Sequence, residues 1–501
     1  MIITEDSLLR LKSGTDIRGV AVKTETEEVE LTDEVVEKIC TAFVIWLRKK
    51  ENKEDIKIAV GHDSRISADR IKKAAVKAFI AQGAEVFDCG LASTPSMFMA
   101  VVLDIKADAS LEITASHHPY QRNGLKFFTR NGGLEGSEVK EILALAYSAE
   151  LGDKQGSVTE YNFMGTYCKH LRNVIIEAVC GGDKPLTGLK ISVDAGNGVG
   201  GFYAKDVLAP LGADISGSQF LEPDGTFPNH IPNPENKEAI ASACKMVKDT
   251  ASDFGLIFDT DVDRMGCVSA DGEEINRNRL VALASAIALE ENEGGTVVTD
   301  SLTSDGLRVF IEKDLGGKQL RFKRGYKNVI DKSIELNNNG INSPLAIETS
   351  GHAALKENYF LDDGAYLATK IVILLARLHK QGKRVDDLIK NLKEPAESVE
   401  IRIPILLNDF TSYGESVIAG LTEYAERREG WEVEKENYEG VRVNVEGGWF
   451  LLRLSVHDPI LPLNIENDKL GICKGIADEL KLFLSSYDKL DLNNFNEGAI
   501  C

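Results

Sequence analysis

The stretch IKIAVGHDSRISADRIKKAAVKAFIAQGAEVFDCG (56–90) indicates how this chain folds. It opens with an apolar, β-branched run at 56–61, continues with helical periodicity over 69–83, and closes with a second strand pattern at 84–90. Gly83 follows the last helical turn, where the left-handed backbone that glycine tolerates commonly ends a helix. The stretch therefore predicts a strand–helix–strand unit, which is the building block of parallel sheets covered by helices.

The same unit recurs twice further along the chain. LKISVDAG (189–196) predicts a strand, followed by a helix over GFYAKDVLAPLG and a strand over ADISGSQ. GTVVTDS (295–301) predicts a strand, followed by a helix over SDGLRVFIEKDLGG and a strand over KQLRFKRG. The last hundred residues instead combine several strand patterns with one helix over KGIADELKLFLSSY (474–487), which is typical of a smaller α+β domain.

We therefore predict an α/β fold of four domains, consisting of three similar mixed α/β domains and a smaller α+β domain at the carboxyl end. A chain of 501 residues agrees with this count, because domains commonly have about 100–200 residues. The predicted boundaries are 1–155, 156–268, 269–393 and 394–501.

The composition excludes several classes of function. A formal net charge of −21 argues against general affinity for nucleic acid or an anionic membrane, both of which require basic surface. No apolar run approaches the roughly 20 residues that cross a bilayer. The eight cysteines contain no CxxC pair, which indicates free thiols in a reducing compartment and predicts a cytoplasmic protein.

FDTDVDR (258–264) places three carboxylates two residues apart, directly after the apolar run GLIF. Oxygen ligands on one side of a loop suit Mg²⁺, so we predict a metal site at Asp259, Asp261 and Asp263. An EF-hand is excluded, because its sixth and twelfth loop positions would be Arg264 and Ala270, not glycine and glutamate. The residues alone leave open an aspartyl-phosphate phosphatase with Asp259 as nucleophile, or a solvated acidic turn.

TASHHPYQRNGLKFF (114–128) predicts a sharp exposed loop after a strand. A serine in such a loop is often only a turn residue. Here two histidines follow Ser116, and the chain turns at Asn123-Gly124 and brings back Lys126. A serine with a lysine nearby can form and discharge a phosphoester.

Two further loops carry polar side chains at strand ends. In LAIETSGHAAL (345–355), Glu348, Ser350 and His352 provide an acceptor, a hydroxyl and a titratable ring that can hold a sugar. In WFLLRLSVHDP (449–459), Arg453 and Ser455 can bind a phosphate together with backbone N–H groups. Either loop could equally be an ordinary surface turn.

DAGNGVGG (194–201) also follows a strand and precedes a helix, as a dinucleotide-binding loop does. Its glycine spacing is G-x-G-x-G instead of G-x-G-x-x-G, so we interpret it as a tight strand-to-helix turn.

Taken in order, these motifs resemble those of the α-D-phosphohexomutase family, over essentially the whole chain. The matching segments follow the family patterns for the amino-terminal arginine, the G-x-D-x-R turn, the active serine, the metal loop, the basic loop, the sugar loop and the phosphate loop. They are Ser13–Gly19 with Arg18, Gly61–Arg65, TASHHP with Ser116, Asp259–Arg264, Arg324–Lys327, Glu348–His352 and Arg453–Pro459.

The resemblance implies four domains around a central cleft, each contributing one loop: the phosphoserine loop, the metal loop, the sugar-binding loop and the phosphate-binding loop. It implies a Mg²⁺-dependent isomerase, a phosphomannomutase or phosphoglucomutase, that acts through phosphorylated Ser116 and a hexose 1,6-bisphosphate, which also serves as activator. The partner would be a small sugar phosphate, with no nucleic acid or membrane, and the protein would be a monomer or homodimer.

The resemblance also assigns roles to particular residues. The catalytic residues would be Ser116, Lys126, Arg18, Arg264 and His352. The substrate would contact Glu348, Ser350, Lys327, Arg453, Ser455 and His457. The metal ligands would be Asp259, Asp261, Asp263 and Ser116.

The phosphate loop departs from the family pattern, with Val456-His457-Asp458 in place of the usual Gly-Thr-Glu. Two alternatives therefore stay open at this point. One is an aspartyl-phosphate sugar phosphatase, and the other is a non-catalytic relative that binds sugar phosphates.

Overall fold

A computed structural model of the chain describes residues 3–179, 182–455 and 458–496. The chain divides into two compact units, one containing residues 1–277 and 350–387 and the other residues 278–349 and 388–501. Among the predicted residues, His457 lies outside the described residues, as do Cys180 and Cys501. The six cysteines that are described are all free thiols.

The first sheet belongs to the first unit and contains eight strands in the order β1-β2-β6-β5-β3-β4-β8, with β7 beside β6. Strands β3, β4, β5 and β8 are parallel where they pair, whereas β1, β2, β6 and β7 join antiparallel. The strands are β1 (Lys12–Ser13), β2 (Asp16–Val20), β3 (Lys57–His62), β4 (Glu85–Leu91), β5 (Ala109–Ile113), β6 (Arg122–Thr129), β7 (Gly132–Gly133) and β8 (Ser157–Glu160). The accompanying helices are α1 (Glu5–Leu9), α2 (Asp33–Glu51), α3 (Ala68–Ala81), α4 (Thr94–Val102) and α5 (Gly136–Ser148).

The predicted strand–helix–strand unit is present as β3, α3 and β4. Helix α3 is followed by Gly83 with φ +80°, the left-handed conformation expected after its last turn. Helix α2 begins at Thr32, whose side chain accepts the N–H of Val35, and its last turn carries three basic residues that complement the helix dipole. The apolar faces of these helices and the sheet form one core.

The second sheet has the order β12-β11-β10-β9, with β9 and β10 parallel and the other pairs antiparallel. Its elements are α6 (Phe163–Val179), β9 (Ile191–Asp194), α7 (Lys237–Thr250), β10 (Phe254–Phe258), β11 (Met265–Ser269) and β12 (Glu274–Ile275). The helix predicted over 201–212 is a π-helix (Tyr203–Leu208) followed by a 3₁₀ turn (Ala209–Leu211), which contains a proline that cannot donate a backbone hydrogen bond.

The strand predicted over ADISGSQ (213–219) is wrong. Only isolated bridges form there, at Asp214 and Gln219. Between them the chain turns, with the N–H of Ser218 donating to the carbonyl of Ile215. A Cβ on Gly217 would lie 2.2 Å from Ser192 Oγ, so this turn packs closely on β9 and requires glycine at this position.

In the second unit, β14, β13 and β15 are adjacent and parallel. The elements of this part are α8 (Asn278–Glu290), β13 (Thr296–Thr299), α9 (Asp305–Val309), a π-helix (Phe310–Asp314), β14 (Lys318–Arg321), α10 (Tyr326–Asn338) and β15 (Leu345–Ile347). The chain then returns to the first unit for β16 (Ala353–Leu355), a 3₁₀ turn (Lys356–Asn358) and α11 (Gly364–His379), which packs on α6.

The carboxyl-terminal part of the second unit is a five-stranded antiparallel sheet in the order β17-β21-β20-β19-β18, with its own apolar core. Its elements are β17 (Glu397–Pro404), α12 (Phe410–Glu426), β18 (Glu432–Val433), β19 (Val441–Val445), β20 (Gly448–Leu452), β21 (Ile460–Asn467) and α13 (Ile472–Leu484). Short 3₁₀ turns lie at Asp386–Ile389 and Asn493–Asn496.

The predicted fold class is confirmed, with three α/β parts and a β-rich carboxyl-terminal part. The sheets of the first unit are mixed instead of mostly parallel, because hairpins extend them. Across the described residues, no helix combines the length and the apolar character needed to span a bilayer.

Candidate active site

The serine loop connects β5 to β6, at the carboxyl end of a parallel strand where ligand sites in α/β sheets usually lie. Ser116 is 5% exposed and has φ +51°, a left-handed conformation that is uncommon for a residue other than glycine. Its N–H donates to the hydroxyl of Thr114 at 2.9 Å. Its own hydroxyl lies 3.2 Å from Asp259 Oδ2 and 3.1 Å from Arg264 Nη2. The loop thus presents the serine hydroxyl to an acidic and a basic side chain of the metal loop.

The metal loop connects β10 to β11 and buries all three aspartates. Asp259, Asp261 and Asp263 each offer a carboxylate oxygen, and these oxygens lie within 4.8 Å of one another. Oδ1 of Asp261 and Oδ1 of Asp263 are buried and accept no hydrogen bond from the described residues. Such atoms are costly unless a ligand satisfies them, so this oxygen-only donor set fits a hard divalent cation such as Mg²⁺.

The electrostatics of these carboxylates favour binding of a cation. Burial, followed by repulsion from Asp263, raises the pKa of Asp259 and of Asp261. Burial also acts to raise the pKa of Asp263, but the charges of Lys126, His352 and Arg264 together outweigh it and the net shift is downward. A divalent cation would remove the repulsion that disfavours three ionised carboxylates here.

Lys126 and Arg264 supply the cations around these carboxylates. Nζ of Lys126 lies 2.7 Å from Asp263 Oδ2, and both side chains are almost completely buried. Nε of Arg264 donates to Asp259 Oδ2 at 3.2 Å, while its Nη2 lies 2.5 Å from Nδ1 of His117. Burial and the neighbouring Arg264 lower the pKa of His117, so this histidine is neutral and can accept from the guanidinium.

Arg18 lies on β2 opposite Gly124 of β6, and it pairs with Asp16 at 2.8 Å. The positive charge of Arg18 acts on the serine loop. The pKa of His118 is lowered to about 4, first by burial and second by the charge of Arg18. Arg18 is therefore placed close to the loop by strand register.

His352 also lies in the first unit, paired in register with Arg264. Its Nδ1 is 2.5 Å from Asp362 Oδ2 and 3.9 Å from Asp263 Oδ1. Burial acts to lower the pKa of His352, but the attraction of Asp362 and Asp263 outweighs it and raises the pKa. Asp362 also accepts the N–H of Ala353 at 3.0 Å, so it fixes the ring orientation. Ser350 begins this stretch of the first unit.

The other predicted substrate residues lie in the second unit. Oε1 of Glu348 accepts the N–H of Gly325 at 2.6 Å, which ties the sugar loop to the basic loop. Lys327 pairs with Asp331 one helical turn along α10, at 2.8 Å. The hydrogen bond between Gly325 and Glu348 therefore holds the sugar loop against the Arg324–Lys327 segment.

Arg453 directly follows β20, and its Nη1 lies 3.8 Å from Oε1 of Glu439. The hydroxyl of Ser455 accepts the N–H of Asp458 at 3.2 Å. Glu439 also accepts from Ser301 Oγ at 2.5 Å and from the N–H of Arg324 at 3.2 Å. One carboxylate therefore contacts the basic loop and the phosphate loop.

Sequence reasoning missed several residues that support this site. Glu439 and Asp362 belong to none of the recognised motifs. Glu439 contacts Arg324 and Asp362 contacts His352, each more than nine positions away in the chain. Thr94 begins α4 and donates to Asp261 Oδ2 at 2.5 Å, from 167 positions away. Arg65 lies in the quoted G-x-D-x-R turn, which was the one signal that could have pointed to it.

Comparison with known proteins agrees with this description. Residues 10–151, 165–272 and 276–395 match the phosphoglucomutase/phosphomannomutase alpha/beta/alpha domains I, II and III. The phosphoglucomutase of Neisseria gonorrhoeae is 31% identical over 94% of this chain and 96% of its own length. The phosphomannomutase/phosphoglucomutase of Pseudomonas syringae pv. tomato is 30% identical over 90% of each chain.

Solved structures show the same fold. A phosphoglucomutase/phosphomannomutase family protein from Burkholderia thailandensis has a TM-score of 0.79 and 28% identity, covering 97% of this chain and 98% of its own. An N-acetylphosphoglucosamine mutase of Aspergillus fumigatus, described in complex with GlcNAc-6P and magnesium, has a TM-score of 0.55 and 12% identity, covering 96% of this chain and 98% of its own.

The fold and these relatives thus define an intramolecular phosphotransferase, an enzyme of the isomerase class. This chain belongs to the α-D-phosphohexomutase family, within its phosphoglucomutase/phosphomannomutase members.

Proposed function

We propose that this chain is a Mg²⁺-dependent phosphohexomutase that interconverts hexose 1-phosphate and hexose 6-phosphate, with mannose, glucose or both as the sugar. One observation carries the proposal: Asp259 and Arg264 lie within 3.2 Å of the Ser116 hydroxyl, although they are more than 140 positions away in the chain. A hydroxyl between a carboxylate cluster and a guanidinium is suited to accept and donate a phosphoryl group.

Phosphorylated Ser116 gives its phosphoryl group to the free hydroxyl of a bound sugar phosphate. The bond between phosphorus and Ser116 Oγ breaks, a bond to the sugar oxygen forms, and the hydroxyl proton passes through Lys126, acting as the neutral amine, to Ser116 Oγ. The resulting hexose 1,6-bisphosphate reorients, and its other phosphoryl group returns to Ser116. In this second transfer the proton of the Ser116 hydroxyl passes through Lys126 to the sugar oxygen that leaves.

Asp259, Asp261 and Asp263 would hold Mg²⁺ together with an oxygen of phosphorylated Ser116. When bound, Mg²⁺ neutralises part of the charge on the transferred phosphoryl group. The unpartnered carboxylate oxygens of the metal loop support this assignment.

Arg264, Arg18 and His352 surround the transferred group with positive charge. His352, whose ring is oriented by the contact between its Nδ1 and Asp362, would donate to the phosphoryl group. Hexose 1,6-bisphosphate is the activator, because it can phosphorylate a serine that has lost its phosphate.

Glu348 and Ser350 bind the sugar hydroxyls, and Arg453, Ser455, His457 and Lys327 bind the phosphate that does not react. The same groups serve both orientations of the bisphosphate. A cytoplasmic location and a monomeric or homodimeric state remain predictions from the sequence and the family resemblance.

The test is phosphorus NMR of the purified protein with Mg²⁺ and a trace of hexose 1,6-bisphosphate. Mannose 1-phosphate, glucose 1-phosphate and glucosamine 1-phosphate are supplied separately. We expect a 6-phosphate signal with mannose, glucose or both, and none with Ser116→Ala. The matched control is Ser148→Ala, an exposed serine at the end of α5, which should retain turnover.

Free phosphate in place of a 6-phosphate would instead favour a phosphatase that uses Asp259 as nucleophile. Binding of all three sugars without turnover would favour a non-catalytic relative. Full activity in Ser116→Ala would contradict the role of the serine.

A further inference from the structure

Arg65 lies beneath the serine loop with its side chain completely buried. A guanidinium has five N–H donors, and here each of the five has a partner. Nε donates to Asp63 at 3.1 Å. The other four donate to main-chain carbonyls, and all four carbonyls belong to residues 116–122.

Those four carbonyls are spread along the whole serine loop. Nη1 donates to Pro119 and Arg122, each at 2.9 Å. Nη2 donates to Ser116 and to His118. One rigid, planar group therefore fixes the positions of four peptide units, three between β5 and β6 and one at the first residue of β6.

Asp63 completes the support from the other end of the loop. Its Oδ2 accepts from the hydroxyl of Thr114 at 2.8 Å, and the same hydroxyl accepts the N–H of Ser116 at 2.9 Å. Ser116 is thus held through its carbonyl by Arg65 and through its N–H by Thr114. This explains how a serine keeps φ +51°, since such a conformation persists only when the surrounding structure imposes it.

The segment before α7 covers the same arginine. A Cβ on Gly225 would lie 2.3 Å from the carbonyl of Ser64 and 2.7 Å from Cα of Arg65. The ring of Phe227 lies 5.3 Å from the guanidinium carbon. Arg65 therefore cannot move outward without displacing this segment.

We propose that Arg65 is a positioning residue for phosphoryl transfer: it holds the serine loop in the conformation that places Ser116 Oγ beside Asp259 and Arg264. The inference rests on the proposed function of Ser116. Arg65 acts through the backbone of the loop and contacts neither substrate nor metal, so its loss affects the transfer step more than substrate binding. Lysine has three donors on a flexible stem, so it cannot replace the planar group with five donors.

Arg65→Lys should therefore lower the rate of phosphoryl transfer by about 100-fold, because a displacement of about 1 Å at a reacting group can cost that much. The KM for sugar phosphate should change less than threefold. The measurement is rapid-quench transfer of ³²P from labelled glucose 1,6-bisphosphate to the enzyme, together with steady-state kcat and KM.

Arg70→Lys is the matched control. Arg70 lies in the same domain and also donates to two main-chain carbonyls, those of Ala21 and Leu31, at 3.0 and 2.8 Å. Its substitution removes comparable bonds and leaves in place the four bonds from Arg65 to the carbonyls of residues 116–122. We expect Arg70→Lys to lower the melting temperature while it accepts label at the wild-type rate.

If Arg65→Lys does not fold, Thr114→Val provides the second test, because it removes the support of the Ser116 N–H and keeps Arg65. Thr114→Val should lower kcat about tenfold and, like Arg65→Lys, change KM much less. Wild-type labelling rates in both folded variants, or a loss in Arg65→Lys no greater than in Arg70→Lys, would overturn the role of Arg65. If the wild-type enzyme acquires no label on Ser116, the proposed function itself fails and the role of Arg65 fails with it.

Discussion

Gly198 lies in the glycine-rich turn after β9, and it offers a test of how closely the metal loop is supported. A Cβ at this position would lie 2.6 Å from the carbonyl oxygen of Thr260, 2.8 Å from its Cα and 3.0 Å from its carbonyl carbon. Thr260 lies between Asp259 and Asp261, and its carbonyl accepts the N–H of Val199 at 2.9 Å. The contact is with backbone, so no side chain can rotate away.

Ordinary contact with a Cβ begins at 3.4 Å, so Gly198→Ala must move the metal loop by about 0.8 Å. A displacement of about 1 Å at a catalytic group costs up to about 100-fold in rate. We therefore expect kcat/KM to fall by roughly 30- to 100-fold, which is about 2–3 kcal/mol of transition-state stabilisation. The Mg²⁺ concentration that gives half-maximal activity should rise as well.

The assay measures kcat/KM over a Mg²⁺ titration, with the melting temperature of each variant. The control is Gly475→Ala in α13, where a Cβ meets nothing within 4 Å. It should keep wild-type activity and gain about 0.5–1 kcal/mol of stability, because alanine favours a helix over glycine. Wild-type kcat/KM and Mg²⁺ dependence in Gly198→Ala would show that the turn after β9 does not position the metal loop.

Three further predictions concern other parts of the structure. Glu439→Gln should raise the KM for sugar phosphate about tenfold with a smaller effect on kcat, because Arg453 loses its carboxylate partner; an unchanged KM would contradict this. Burial raises the pKa of Glu466 to about 7 from an ordinary 4.5, so its contribution to stability is complete below pH 4.5 and lost as pH rises through 7. Glu466→Gln should therefore remove up to about 3 kcal/mol of pH dependence in the unfolding free energy between pH 5 and 8, measured by urea denaturation, and an unchanged slope would count against it. Asp261→Asn should weaken Mg²⁺ binding at least tenfold by isothermal titration calorimetry, and wild-type affinity would exclude Asp261 as a ligand.

The sequence predicts those parts of the fold that are determined by residues close together in the chain. β3, α3 and β4 follow from apolar periodicity over 35 residues, and the serine and metal loops follow from a strand ending in polar residues. Gly83 shows why: its left-handed φ is a local requirement, and glycine satisfies it at low cost.

Two elements of the carboxyl-terminal part could not be predicted in the same way. β21 lies between β17 and β20, yet it contains Pro462, which normally indicates an edge strand or no strand. Its place in the sheet is set by neighbours far along the chain. Helix α12 contains Gly414 and Gly420, which weaken its helical signal; they are needed because a Cβ would meet Leu454 at 2.5 Å and Tyr487 at 2.0 Å.

The supporting residues of the site depend on tertiary contacts even more strongly. Arg65 lies in a turn motif, but its partners become visible only when folding brings residues 116–122 over its guanidinium. Glu439 and Asp362 likewise gain their partners only in the folded chain. Motifs therefore predict the groups that perform the chemistry, whereas the groups that hold them in place require the structure.

The most direct test of the account is to locate the phosphoryl group on the enzyme. The protein is incubated with ³²P-labelled hexose 1,6-bisphosphate and Mg²⁺, digested, and its labelled peptide is sequenced by mass spectrometry. We expect one phosphoester on Ser116, stable to hydroxylamine and discharged by added hexose phosphate. A hydroxylamine-sensitive acyl phosphate on Asp259, or no covalent label during turnover, would contradict it.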